Sequence, residues 1–218
     1  MTTTFVSAFI SLDESRPVDK SVDRYFDLFN QLQSTGIRIH LFLSPNYRGK
    51  VTLTNGIIEY ISLKELNAYK NAPSGLPEYR NALHDTRNFL ILMNSKVELV
   101  KRAMDSQMHS STHFGWIDFG ICHMFRTLPS SLTQIRQLGK TALPTPCMLI
   151  PGCWNQQEVA LSHVSWRFCG SLFIGDRASI EEFHQRHTQV YPTLPHLTWE
   201  VNVWAHMESL GWSPTWYK

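Results

Sequence analysis

The opening of the chain constrains the fold more than any other stretch. Residues 5–10, Phe-Val-Ser-Ala-Phe-Ile, form a short β-rich run that reads as a buried first strand. Asp13-Glu14-Ser15-Arg16-Pro17 follows as a polar loop. Val18, Val22, Tyr25, Phe26, Phe29 and Leu32 then recur at helical spacing until Gly36. Residues 37–43 make a second strand, ended by Ser44-Pro45-Asn46. Two strands joined through a helix run in the same direction, so this unit predicts a parallel sheet. With 218 residues, 43% of them hydrophobic, the chain can bury a sizeable core, and 1–218 reads as one domain.

The remaining elements extend the pattern. Residues 57–62 read as a third strand. Over 78–104, Leu83, Leu90, Met93, Val97, Val100 and Met104 keep a helical period with no internal proline or glycine, which predicts one long helix. On it Arg80, Arg87 and Asn94 would share a face, a stripe able to hold an anion or simply a solvated surface. A polar loop is expected after residue 120, then strands at 147–150 and 164–174, the second interrupted at Gly170, and helices at 176–187 and 199–210. Alternating strands and helices give an α/β fold with the ligand site at the carboxyl ends of its strands.

Composition narrows the function. A net charge of +2 is too mild for a nucleic-acid or membrane surface, and any anionic partner is expected to be small. The four cysteines form no CxxC pair and no zinc spacing, so reduced thiols in a cytoplasmic setting are expected. The N-terminus lacks the features of a secretory signal, and the apolar runs are too short to span a bilayer. The aromatic C-terminus, Trp212 to Lys218, suggests the N-terminal part of a longer protein. GxGxxG, GxxxxGK[ST], GxSxG and HExxH are all missing, and His184 with His187 reads as a solvated surface pair rather than a shared metal site.

One segment carries chemistry. His113-Phe114-Gly115-Trp116-Ile117-Asp118-Phe119-Gly120 is apolar and aromatic around a single carboxylate, and then breaks at glycine. Burying Asp118 among such residues is costly unless it is paired or binds a cation. Either a neighbouring arginine or loop, or a ligand, answers that cost.

The segments 5–10 with Arg16, Met93-Asn94-Ser95-Lys96, Trp116-Ile117-Asp118-Phe119-Gly120 and Trp199-Glu200-Val201-Asn202-Val203-Trp204 together resemble the HtrL/YibB-type glycosyltransferases, viral glycosyltransferase domains of that kind included. The resemblance spans nearly the whole chain, and Trp-Ile-Asp-x-Gly is its most specific motif. It implies a GT-A-like (Rossmann-like) fold with a mixed, mostly parallel central sheet flanked by helices. It further implies transfer of a hexose or deoxyhexose from a UDP-sugar to a glycan or glycoprotein acceptor, such as a viral capsid protein in the host cytoplasm. A manganese or magnesium ion would bind at an Asp-x-Asp motif, of which Asp118 matches the first position while Gly120 stands at the second. The ion would then rely on Asp118, the donor diphosphate and water, with a histidine beyond Lys218 as a further ligand.

In this reading Ser11, Asp13 and Arg16 cradle the base and ribose, although Asp13 and Ser15 equally suit a helix-capping loop. Arg80 and Arg87 are candidate phosphate ligands. Gly170 and Ser171 would let the sugar approach the backbone, unless they mark a bulge. Glu200, at a predicted helix start, would be a general base in an inverting enzyme or a partner near the sugar in a retaining one, retention being what the resemblance favours. Two other classes stay open: a sugar-nucleotide nucleotidyltransferase, for which residues 11–17 lack the expected glycine-rich loop, and a carbohydrate-binding module using Trp116, Trp199, Trp204 and Trp216.

Overall fold

The computed structural model describes residues 2–12, 14, 21–156 and 159–217. In chain order the elements are β1 (Thr3–Phe9), α1 (Val22–Gln33), β2 (Arg38–Leu43), β3 (Gly56–Tyr60), α2 (Asn67–Lys70), α3 (Arg87–Asn94), α4 (Lys96–Asp105), β4 (His113–Ile117), α5 (Leu128–Leu138), β5 (Met148–Pro151), β6 (Leu172–Asp176), α6 (Arg177–Val190), α7 (Glu200–Ser209) and β7 (Thr215–Tyr217). Seven strands form one sheet in the order β3-β2-β1-β4-β6-β5-β7. β3, β2, β1 and β4 are mutually parallel, β6 runs antiparallel to both of its neighbours, and β7 is parallel to β5. This is the expected α/β class, a mixed and mostly parallel GT-A-like sheet. Among the described residues, no helix is long and apolar enough to cross a membrane.

Strand periodicity divides the core. Successive side chains on a strand point to opposite faces. Val6 of β1 and Phe114 and Trp116 of β4 therefore join Leu90, Val97, Val100, Phe183 and Trp204 on one side. Phe5 and Ile117 join Phe26, Phe29, Leu32 and Ile135 on the other. Helices α3, α4, α6 and α7 cover the first face, and α1 and α5 the second.

Three expectations need correction. The long helix over 78–104 is two helices. Thr86 caps α3, its Oγ1 accepting from Phe89 N at 3.3 Å, so the residues before Arg87 form turns instead of a helix. Ser95 donates back to Leu92 O at 2.7 Å where α3 gives way to α4. Arg80 is consequently in a loop, and no arginine stripe exists. Secondly, the strand expected at 164–174 begins only at Leu172. The backbone before it is satisfied by a side chain: buried Asn202 of α7 accepts from Ser165 N at 2.7 Å and donates to His163 O at 2.8 Å. Thirdly, the polar loop after residue 120 contains α5, whose Leu128, Leu132, Ile135 and Leu138 follow helical spacing with Pro129 in its first turn.

Candidate active site

β4 ends at Ile117, and Asp118 follows with the parity of Phe114 and Trp116, so its side chain leaves on the α4–α7 side. Three contacts place it. Its backbone N–H donates to Ser171 O at 3.0 Å. Its Oδ1 accepts from Trp116 Nε1 at 2.6 Å and lies 3.2 Å from Lys96 Nζ. The next residue, Phe119, turns to the opposite face, where its ring stacks on Phe29 at 4.3 Å and on Phe9 at 4.7 Å.

Lys96 lies at the centre of the site. Its side chain is 2% exposed, and Nζ donates to Glu200 Oε1 at 2.8 Å and to Gly170 O at 2.9 Å in addition to its contact with Asp118. Burial pushes the Lys96 pKa down, but Asp118 and Glu200 more than reverse this, and the net shift is upward. The ammonium is fixed in its charged form between two carboxylates. Trp116 supports it from the side, its ring centroid 5.6 Å from Nζ. Lys96 is among the buried residues of α4 with Val97, Leu99, Val100 and Ala103, a position where lysine is seldom found unless paired. That misplaced charge was the sequence signal for it.

Glu200 is the first residue of α7, and its side chain is 8% exposed. Gly170 makes its position possible: a Cβ at 170 would lie 2.1 Å from Glu200 Oε1 and 3.4 Å from Lys96 Nζ. The close approach that glycine permits here is thus made by Glu200, and Gly170 is in neither a strand nor a bulge. Ser171 gives its carbonyl to Asp118 and its hydroxyl to Met124 Sδ at 3.3 Å.

A cavity of about 520 Å³ opens beside Asp118, within the ordinary range for small-ligand sites. It is lined by the end of β1 and its loop (Ala8 to Leu12, with Glu14), by Val22, Tyr25 and Tyr47, by Phe89, Leu92 and Met93 of α3, and by Trp116, Asp118, Phe119, Gly120 and His123. Ser11 is among these, and its N–H donates to Ser44 Oγ at 2.7 Å. Glu14 accepts from Thr86 Oγ1 across the mouth. Asp13 and Arg16 lie outside the described residues. Arg87 is committed elsewhere, donating to Pro73 O at 2.8 Å and Ser74 O at 3.2 Å, and Arg80 donates to Pro77 O at 3.4 Å. Neither of these candidate phosphate ligands is among the residues lining the cavity.

The described lining holds the carboxylates Asp118 and Glu14 and no lysine or arginine. An anionic ligand would need positive charge at this wall. Among the described residues both side-chain contacts of Asp118 fall on Oδ1, which leaves Oδ2 for a hard cation. Among the described residues no group of three or more His, Cys, Asp or Glu side chains could hold a metal ion by itself. A Cβ at Gly120 would lie 3.1 Å from the Tyr25 ring, so a second carboxylate there would require that ring to shift. The donor set suits an ion whose remaining ligands arrive with an anionic ligand.

No protein-family model and no curated protein matches this sequence, and the resemblance to HtrL/YibB-type glycosyltransferases is not confirmed. Solved structures do resemble it in the course of the chain. Rv0371c of Mycobacterium tuberculosis H37Rv, in complex with manganese, is 10% identical, with 99% of this chain and 87% of that chain covered and a TM-score of 0.48. A glycosyltransferase involved in glycosylation of the major capsid of PBCV-1 is 10% identical over 100% of this chain and 82% of its own, with a TM-score of 0.46. Mouse xyloside xylosyltransferase 1 in its apo form is similar at 10% identity, 95% and 81% coverage and a TM-score of 0.45.

Proposed function

We propose that this chain transfers a hexose or deoxyhexose from a UDP-sugar to a glycan or glycoprotein acceptor, at Asp118. The observation that carries the reading is Asp118, held from behind by buried Lys96 and Glu200, at the wall of an aromatic cavity beside the first β–α loop. The base would stack among Tyr25, Tyr47 and Phe9, a contact worth ~1–3 kcal/mol per base, with its edge against the backbone at Ser11. The diphosphate would extend towards Asp118. A manganese or magnesium ion held by Asp118 Oδ2 would supply the charge that stabilises the leaving diphosphate. Arg16 remains the candidate for a direct phosphate contact.

The residues of the chain perform the orienting work. Lys96 bridges the two carboxylates and holds them apart, and Trp116 fixes which Asp118 oxygen faces inward. Glu200, bonded to Lys96 and absent from the cavity wall, acts through that lysine. An inverting enzyme needs a base on the acceptor hydroxyl. Glu200 is poorly disposed for that, which fits retention better. Gly170 and Ser171 bring the β6 entrance against Asp118, where the sugar would lie.

Calorimetric titration with UDP and UDP-sugars, with and without manganese, tests the proposal on wild type and Asp118→Asn. The variant keeps an acceptor for Trp116 and loses the charge. Metal-dependent UDP binding in wild type, at least ~10-fold weaker in the variant at unchanged melting temperature, is expected, since ~1.4 kcal/mol of lost charge interaction is already tenfold. Wild type that binds no UDP with either metal refutes it.

A further inference from the structure

The chain turns tightly after Asp118 and brings a histidine back to the same wall. Ile121 N donates to Asp118 O and His123 N to Gly120 O, each at 3.1 Å, and a 3-10 turn over Ile121–Met124 follows. Asp118, Gly120 and His123 all line the cavity. His123 is an exposed residue, so burial in the core does not account for its presence there.

The imidazole is fixed in one tautomer. Its Nδ1 lies 2.5 Å from Gly120 O, and a carbonyl can only accept, so Nδ1 carries the proton. In the neutral ring Nε2 then holds a free lone pair, the state in which imidazole binds metal ions. Histidines that ligate metals give their other ring N–H to a backbone carbonyl or carboxylate in this way, which sets the ring's orientation and raises its basicity. Among the described residues Nε2 has no hydrogen-bond partner.

Gly120 links this ring to the absent second carboxylate. A Cβ at position 120 would lie 3.1 Å from the Tyr25 ring and 3.7 Å from His123 Nδ1. The space that a side chain at 120 would enter is therefore bounded by Tyr25 and by the imidazole. Of the two, only the imidazole is a ready metal ligand. Asp118 Oδ2 and His123 Nε2 are thus two donor atoms on one cavity wall, each left open by contacts that occupy its partner atom.

We propose that His123 Nε2 is the second protein ligand of the cation at Asp118, in place of the carboxylate that Gly120 cannot supply. The proposal rests on the glycosyl-transfer reading above for the nucleotide that completes the metal's shell. Imidazole suits first-row transition ions, whereas magnesium demands oxygen ligands. Replacing a carboxylate by an imidazole accordingly makes the site discriminate in favour of manganese.

Electron spin-echo envelope modulation of bound manganese detects directly coordinated nitrogen, and it is recorded with and without UDP on wild type and His123→Asn. Asparagine retains a donor for Gly120 O and offers no imidazole nitrogen, and the other histidines are unchanged. Manganese, magnesium and UDP affinities of both proteins are measured in parallel by calorimetry. We expect nitrogen modulation in wild type and its loss in His123→Asn, with manganese binding at least ~10-fold weaker, magnesium binding changed far less, and the melting temperature unchanged. Manganese bound without nitrogen modulation, modulation that persists in His123→Asn, or an equal loss for both metals overturns the ligand; metal-dependent UDP binding in the same samples would leave the transferase reading standing. Nitrogen modulation that depends on His123 in a protein that binds no UDP sustains the ligand and removes the transferase. Wild type that binds manganese neither alone nor with UDP overturns both.

Discussion

Substituting Lys96 by methionine is the most informative perturbation, because Met retains the stem volume while deleting one ammonium. The change leaves Glu200, 8% exposed, and Asp118, 32% exposed, without the cation between them. Removing one partner of a buried ion pair costs ~3–5 kcal/mol, mostly as the uncompensated charge left behind. The Gly170 carbonyl also loses its donor, and an orphaned acceptor costs ~1–3 kcal/mol. Solvent at Asp118 screens part of this, so about 4 kcal/mol is the working figure. For a domain of this size each kcal/mol moves the melting temperature by roughly 2–4 °C, giving a fall on the order of 10 °C.

Urea unfolding followed by tryptophan fluorescence measures the loss directly, and a second variant identifies its cause. Adding Glu200→Leu to Lys96→Met removes the stranded carboxylate, and about 1–3 kcal/mol should return, within the range of coupling between residues in contact. A loss below about 1 kcal/mol for Lys96→Met would refute the argument, since ordinary surface substitutions stay near that size. So would strict additivity of the two substitutions.

Two further outcomes follow from the geometry. Gly170→Ala places a Cβ 2.1 Å from Glu200 Oε1, so Glu200 must move; we expect ~1–3 kcal/mol of destabilisation together with weakened UDP–manganese binding, read by thermal melting and calorimetry. Burial lowers the His187 pKa to about 3, with nearby His184 adding to the effect, so the folded state holds this imidazole neutral. Its stabilising contribution is complete above the unfolded value of 6.5 and is lost as pH falls towards 3, at up to ~1.4 kcal/mol per pH unit. Unfolding free energies from pH 7 to 4 should fall less steeply in His187→Phe, which keeps the stack on Tyr191, and an identical slope would exclude the histidine as a source.

Regular elements were legible wherever local pattern and tertiary packing agreed. β1, α1, β2 and the strand leading to Asp118 could be read from periodicity alone. Residues 78–104 misled because apolar spacing continues across Ser95 and because the capping role of Thr86 was overlooked. Residues 164–171 are rich in strand-forming side chains, yet Asn202, far along the chain, takes the Ser165 N–H and the His163 carbonyl at their start. The site followed the same division. Asp118 was legible as a lone carboxylate on an apolar strand. Lys96 and Glu200 are 104 residues apart, and only folding brings them together, although a lysine on the buried face of a helix was itself a sign of a hidden partner.

The ring stack beneath Asp118 has a consequence for binding. Phe119 is clasped between Phe9 and Phe29, and Trp116 grips the carboxylate from the preceding turn of the strand. Asp118 is thereby anchored on both sides along the chain and has little torsional entropy left to lose. An incoming ligand meets an acid that already holds its bound orientation, so the freedom surrendered on association is the ligand's own. A Phe29→Ala change, behind the cavity wall, would return that freedom to the acid.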